Sequence, residues 1–167
     1  MDNYQVAING TGLAARILDI ETPHVQFFYN RDMTEKGINS IFLKEEFIIA
    51  FNEEWIKQAN PTEIQVTCFH ESRHAFQWEC IKGEYQGEQN IDPSLVQIWK
   101  KEMSDYTQPT RIDIPEEDYL NQEIEIDAIA FAHKMMLEHF ELKTVIPNSI
   151  KVKSYIQNIK LEEAYVE

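Results

Sequence analysis

Two histidines and a glutamate near the middle of the chain have the residue types and the spacing of a catalytic metal site. The segment His70-Glu71-Ser72-Arg73-His74 is an H-E-x-x-H motif. On a helix, residues four apart project from one face, so both imidazoles can bind one zinc ion at about 2.0–2.1 Å. Glu71 then lies beside the ion, where its carboxylate can take a proton from an attacking water and deliver it to a leaving amine. The pattern predicts a zinc site that hydrolyses peptide bonds.

The residues on either side of the motif indicate a long helix. Asn60 is a favourable N-cap, Pro61 suits the first helical position, and Glu63 can complete a capping box. Gly83 is a C-terminal stop signal. The predicted helix, Pro61–Lys82, is apolar on most sides and should be central and buried, so the polar residues at its middle need partners there.

A third ligand is expected on a second helix, predicted over residues 115–140, where two glutamates compete. At 100° per residue, Glu125 shares an apolar face with Ala128, Ile129, Ala132, Met135 and Met136. Glu123 shares the opposite, solvated face with Asp127, Lys134, Glu138 and Glu141. A lone carboxylate on an apolar face is costly unless something compensates its charge. The pattern favours Glu125 as the third zinc ligand and leaves Glu123 as the alternative.

The order of these motifs resembles that of a known enzyme class. An H-E-x-x-H motif with a glutamate on a downstream helix is the arrangement of the gluzincins, the thermolysin-like zinc peptidases. The run Glu125-Ile126-Asp127-Ala128-Ile129-Ala130-Phe131-Ala132 is similar to the E-x-x-A-x-x-F-A signature of small bacterial metallopeptidases of the ImmA/IrrE group.

This resemblance covers roughly residues 37–140. It implies that Glu125 is the third zinc ligand, and that the protein is an intracellular peptidase of the kind found in bacterial mobile elements and stress regulation. The chain departs from the signature at residues 127–129, where an Ala-Asn pair is usual. A thermolysin-type E-x-x-x-D register would instead pair Glu123 with Asp127.

These observations predict a zinc-dependent metallopeptidase that binds one Zn²⁺ per chain and acts on a peptide or protein substrate. The alternative is a catalytically silent, zincin-like protein that binds metal and has a regulatory or interaction role. Glu71 favours the enzyme, because a purely structural site has no use for a base. A structural zinc site would also have four protein ligands, and the sequence offers three.

Four other polar residues are weaker candidates for a role in the site. Gln77 is expected to contact either the ligands or the substrate, with a plain surface glutamine as the alternative. Tyr119 is a candidate donor to the oxyanion of the reaction. His133 is expected at the surface. His139 would lie about 21 Å along its helix from the third ligand, too far to share a metal.

Composition indicates a single domain over residues 1–167 that binds neither nucleic acid nor membranes. The chain is 43% hydrophobic, and its net charge of −14 argues against a nucleic-acid surface and against anionic lipid. It has no apolar run of about 20 residues and no basic, apolar leader at its N-terminus. Cys68 and Cys80 would lie about 18 Å apart on one helix, too far to form a disulfide, so reduced thiols and a cytoplasmic location are expected.

The expected fold class is α+β and zincin-like. A small N-terminal mixed or antiparallel sheet should pack on the central metal-binding helix, followed by a mainly helical C-terminal part. Strands are predicted at residues 25–29, 38–43 and 47–51, with a turn at 44–46. The resemblance implies that residues 47–52 form the edge strand beside the cleft, where an extended substrate would pair. The alternative is that these residues form a core strand without a role in substrate binding. Further helices are predicted at residues 14–20, at 94–103 as a cleft wall, and at 149–166.

Overall fold

The computed structural model describes residues 1–106 and 116–146, apart from the side chains of residues 116 and 117. This part of the chain contains helices and a small mixed sheet, which confirms the α+β class. The helices are α1 (Asn3–Leu18), α2 (Arg31–Lys36), α3 (Glu53–Gln58), α4 (Pro61–Lys82), α5 (Pro93–Ser104), α6 (Glu116–Leu120) and α7 (Glu123–Phe140), and the strands are β1 (His24–Phe28), β2 (Ser40–Leu43) and β3 (Ile48–Asn52). The helix predicted at residues 149–166 lies outside the described residues.

The helix α4 runs through the middle of the fold and carries the H-E-x-x-H motif. It has the predicted bounds: Asn60 and Glu63 form a reciprocal capping box, and Gly83 ends the helix with a left-handed φ of 72°. Helices α1 and α7 pack along it, and α5 and β2 also contact it. Phe69 and Phe76 on α4 are fully buried. The motif therefore lies on a central helix that neighbouring elements support on several sides.

The three strands form a mixed sheet in the order β1-β3-β2. Strand β1 pairs with β3 in parallel, and β2 pairs with β3 antiparallel. The expectation that residues 47–52 form the edge strand is therefore wrong, and the alternative of a core strand is confirmed, because β3 is the central strand and most of it is buried. Its unbroken apolar run is typical of a strand covered on both faces. The edge strand on the side of α4 is β2, all of whose residues are half-buried.

The first helix is longer than the sequence pattern predicts. A helix was expected at residues 14–20, but α1 begins at Asn3, where the Asp2 side chain accepts a hydrogen bond from the backbone N–H of Gln5. A Cβ at Gly10 would lie 2.8 Å from Oε1 of Gln65 and 2.9 Å from Sγ of Cys68. The glycine, which disfavours a helix locally, is needed for the close packing of α1 on α4.

The second long helix is interrupted. The prediction of one helix over residues 115–140 is wrong, because the described part of it forms α6 and α7, with a break at Asn121 and Gln122. No side chain of its own caps α7. Instead, the carboxylate of Glu102 on α5 accepts hydrogen bonds from the backbone N–H groups of Glu123 at 3.0 Å and Ile124 at 2.8 Å. A cap from another helix lets α7 begin at Glu123.

Candidate metal centre

Three side chains from α4 and α7 bring their ligand atoms together. Nε2 of His70 lies 3.1 Å from Nε2 of His74 and 3.2 Å from Oε2 of Glu125, and Nε2 of His74 lies 3.1 Å from Oε1 of Glu125. Two ligands of a tetrahedral zinc ion at 2.0–2.1 Å are about 3.3 Å apart, so these separations fit three corners of such a site. The three residues could hold a metal ion.

The charges of these side chains also suit a cation. Glu125 is fully buried. Burial alone would raise its pKa, but positive charge on His74 and hydrogen bonds from both imidazoles hold the pKa of Glu125 well below its usual range. Burial alone would lower the pKa of His74, but the Glu125 carboxylate raises it to about 9. A buried carboxylate thus attracts positive charge to the point where the two imidazole nitrogens meet.

Gln77 determines which ring nitrogen of His74 carries the proton when the ring is neutral. The amide nitrogen of Gln77 lies 3.0 Å from the carbonyl oxygen of Ile124 and 2.7 Å from Oδ2 of Asp127, and both of these atoms only accept hydrogen bonds. Its oxygen therefore faces Nδ1 of His74, at 2.8 Å, and must accept a hydrogen bond from the N–H group of that nitrogen. In the neutral ring Nε2 is then unprotonated and can bind a metal. Gln77 therefore contacts one of the candidate ligands, and it is not a surface glutamine.

Asp127 is buried behind Gln77. It forms a two-pronged ion pair with Arg73, with Nε to Oδ2 at 2.7 Å and the second contact at 3.1 Å. The rings of Phe76 and Phe131 lie 4.3 and 5.0 Å from the Arg73 guanidinium carbon. The assignment of Asp127 to a solvated face with Glu123 is therefore wrong. At Asp127, α7 faces Arg73 and Gln77 of α4, whereas Glu138 and Glu141 further along the same face are exposed.

Two phenols contact the carboxylate of Glu125. The hydroxyl of Tyr106, just after α5, donates to Oε1 at 2.5 Å, and the hydroxyl of Tyr119 on α6 donates to Oε2 at 2.8 Å. Burial raises the pKa of both phenols, and the Glu125 carboxylate raises it further, so both remain donors. Tyr119, predicted to serve the oxyanion, thus lies at the site but binds Glu125. Sequence reasoning missed Tyr106, which belongs to no motif.

Glu71 lies next to the ligands without being one of them. Its Oε1 accepts a hydrogen bond at 2.6 Å from the hydroxyl of Ser40, the first residue of β2. Ser40 was also missed, since only the packing of β2 on α4 brings it there. Glu123, the alternative ligand, is half-buried at the start of α7 and is not part of the cluster.

A cleft of about 330 Å³ opens over this cluster. One wall is formed by β2 and the turn after it, and the other contains the predicted α5, through Met103, together with Tyr106 and Tyr119. Its base includes His70, Glu71 and His74. The prediction that the segment between the two metal motifs contributes a wall of the cleft is thus confirmed.

The remaining histidines and cysteines lie elsewhere. His133 was expected at the surface, but it is buried, and its Nδ1 lies 2.8 Å from the hydroxyl of Thr144. His139 is exposed. Cys68 and Cys80 are free thiols, the first buried and the second half-buried in the apolar cluster around Phe76. Among the described helices, none has the length and apolar character needed to cross a membrane.

Comparisons with protein-family models, with curated proteins and with solved structures give no match to this chain. The interpretation of the site therefore depends on its own geometry and chemistry.

Proposed function

We propose that the chain is a zinc-dependent metallopeptidase of the gluzincin type, which hydrolyses a peptide bond in a protein or peptide substrate. The observation that carries the proposal is the position of Glu71. Its carboxylate lines the same cleft as the two histidines but stays outside the set of three ligand atoms, with Ser40 as its hydrogen-bond partner. A site built only to hold a metal has no need of a second carboxylate there.

The residues divide the chemistry between them. His70, His74 and Glu125 would hold the ion. A zinc ion bound there would polarise the scissile carbonyl and lower the pKa of the attacking water. Glu71 takes the proton of that water and transfers it to the leaving amine, a role that general bases fill at a gain of about 10²–10⁴-fold. The Ser40 hydroxyl holds one Glu71 oxygen, which leaves the other oxygen for the proton transfer.

The wall formed by β2 supports a peptide as the substrate. In the order β1-β3-β2, β2 pairs on one side only within the described residues, so its other edge is open to an extended chain. Phe42, Met103 and Ile124 give the cleft an apolar lining close to the ligands. We therefore expect a substrate in extended conformation with an apolar side chain beside the scissile bond.

The metal is tested first, by elemental analysis of the purified chain. We expect about one zinc per chain, and loss of tight binding in His70→Ala and in His74→Ala, because two ligands remain in each variant. His139→Ala, which removes an exposed imidazole from α7, is the matched control and should retain the zinc. Unchanged zinc content in both ligand variants would contradict the proposal.

The base is tested with Glu71→Gln, which should keep the zinc and lose hydrolysis, because an amide cannot shuttle the proton. A proteome-derived peptide mixture, read by mass spectrometry, serves as the substrate. Glu79→Gln, two turns further along α4, is the control and should cleave as the unmodified chain does. Cleavage by Glu71→Gln at the same rate would contradict the mechanism. Zinc binding without any cleavage by the unmodified chain would favour the silent, metal-binding alternative.

A further inference from the structure

Two neutral phenols donate hydrogen bonds to the buried carboxylate of Glu125, the proposed third ligand. Glu125 is fully buried, and each of its oxygens has one tyrosine hydroxyl and one imidazole nitrogen as neighbours: Tyr106 and His74 at Oε1, Tyr119 and His70 at Oε2. A carboxylate oxygen accepts two hydrogen bonds through its two lone pairs. The phenols occupy one lone pair on each oxygen, and the other remains directed at the point where the imidazoles meet.

From this arrangement we propose that Tyr106 and Tyr119 are positioning residues, which orient Glu125 for metal binding. The inference rests on the metal centre of the proposed function, but it does not depend on hydrolysis. It assigns both tyrosines to the metal ligand and not to the substrate.

The type of donor matters for a cation site. A lysine or arginine at the same place would neutralise Glu125 and repel an incoming metal ion. A phenol donates a hydrogen bond and leaves the carboxylate its full negative charge. The two rings also pack edge to face, with centroids 6.2 Å apart, so each limits the movement of the other.

The first turn of α7 is also held through its backbone, by the helix that precedes Tyr106. Glu102, in the last turn of α5, accepts hydrogen bonds from the backbone N–H groups of Glu123 and Ile124, the first two residues of α7. Tyr106 lies four residues further on, just beyond the end of α5, and contacts the side chain of Glu125. The end of α5 and the residue that follows it therefore contact the first turn of α7 through its backbone and through the side chain of Glu125.

Loss of either phenol should weaken metal binding. A buried carboxylate oxygen that loses its phenol donor keeps one unfilled lone pair, which favours rotation of the side chain away from the metal position. The rotated side chain would no longer hold the ion. Replacement of the outer hydrogen-bond partners of metal ligands typically weakens metal binding by about 10–100-fold.

The experiment measures metal binding and needs no substrate. Zinc affinity is determined by competition with a chromophoric chelator for Tyr106→Phe, Tyr119→Phe and the double variant. Visible absorption of the Co²⁺-loaded proteins reports the geometry at the ion. Phenylalanine keeps the ring packing and removes only the hydroxyl. Tyr85→Phe is the matched control, since its ring packs against Phe76 and its hydroxyl contacts the backbone N–H of Gln89, away from Glu125.

We expect affinity losses of about 10–100-fold for each single variant, a larger loss for the double variant, and an altered Co²⁺ spectrum. Glu102→Gln, which leaves both phenols in place, should also weaken binding. Zinc affinities within twofold of the unmodified chain, with an unchanged Co²⁺ spectrum, would overturn the role given to Tyr106 and Tyr119. That result would not contradict the proposed metal centre. An equal loss in Tyr85→Phe would also overturn the role of the two tyrosines. If the unmodified chain bound no metal, the proposed function and this inference would both fall.

Discussion

The side-chain oxygen of Gln77 lies 2.8 Å from Nδ1 of His74, one turn back on the same helix. Through its amide nitrogen, 2.7 Å from Oδ2 of Asp127, Gln77 connects this histidine to a buried carboxylate. In many metal sites a carboxylate or a carbonyl contacts the ligand histidine directly. In this protein a neutral amide stands between them. The ring of His74 is thereby oriented, and the negative charge of Asp127 remains paired with Arg73.

Gln77→Met should weaken zinc binding by about 10–100-fold, because the variant keeps the side-chain volume but removes the acceptor that holds the Nδ1 proton of His74. The measurement is chelator competition on protein whose helical content is checked by circular dichroism. Gln58→Met, on the exposed end of α3, is the control and should bind zinc as the unmodified chain does. An unchanged affinity in Gln77→Met would show that the orientation of His74 does not depend on Gln77.

Asp127→Ala should destabilise the fold by about 3–5 kcal/mol, since it leaves the Arg73 guanidinium buried without its partner. Both side chains are 10% exposed, so solvent screens the pair little. Urea unfolding in the presence of a chelator measures the free energy of unfolding without a contribution from metal.

The matched variants for this pair are Arg73→Met and the double variant Arg73→Met/Asp127→Leu. The double variant should lose less stability than the sum of the two single losses, because it buries no unpaired charge. Losses that simply add would mean that the two side chains are not coupled.

The local signals in the sequence were sufficient to predict the helix that carries the H-E-x-x-H motif and the three residues whose side chains meet in the cluster. The caps of α4 are side-chain-to-backbone hydrogen bonds within three residues, so Asn60 and Glu63 define its start without any tertiary contact. The spacing of His70 and His74 needs only helical geometry. Glu125 could be separated from Glu123 because a single acid on an apolar face has a cost that the sequence already shows.

The other parts of the site depend on contacts between elements that are distant in the chain. Periodicity placed Asp127 on the same face as Glu123, but it could not reveal that Arg73 and Gln77 of α4 contact Asp127. Ser40 and Tyr106 lie 31 and 19 residues from the carboxylates they contact, with no motif around either. The edge strand was misassigned because the resemblance was followed for residues 47–52, although their unbroken apolar run is typical of a central strand.

Both cysteines should react slowly with a thiol reagent while the chain is folded. Burial raises the pKa of Cys68 from 9.0 to about 12 and that of Cys80 from 9.0 to about 11. Because only the thiolate reacts, Cys80 at pH 8 should react about a hundredfold more slowly than in the urea-unfolded chain, and Cys68 more slowly still. Colorimetric thiol titration measures both rates. Rapid reaction of Cys68 in the folded chain would contradict its burial.

Ionisation of the same two thiols should make the free energy of unfolding depend on pH at high pH. Their pKa values are higher in the folded chain than in the unfolded chain, so their contribution is fully present below about pH 9. It is lost as the pH rises through 9 toward 12, where the unfolded chain ionises first. Urea unfolding at pH 8 and pH 10.5 should show this loss, and Cys68→Ala should show less of it. An equal pH dependence in Cys68→Ala would rule out Cys68 as its source.

The choice between the two glutamates of α7 can be made with zinc alone. Glu125→Ala should weaken zinc affinity sharply, because it removes one of three ligands and leaves the hydroxyls of Tyr106 and Tyr119 without their acceptor. Glu125→Gln keeps the volume and one acceptor oxygen but removes the negative charge, and it should also bind zinc weakly. Glu123→Ala removes a half-buried side chain outside the cluster, while its backbone N–H can still donate to Glu102. Its zinc affinity should stay within about threefold of the unmodified chain, because Glu123 is not part of the cluster. A large loss of affinity in Glu123→Ala, with none in either Glu125 variant, would favour the thermolysin-type register and exclude Glu125 as the third ligand.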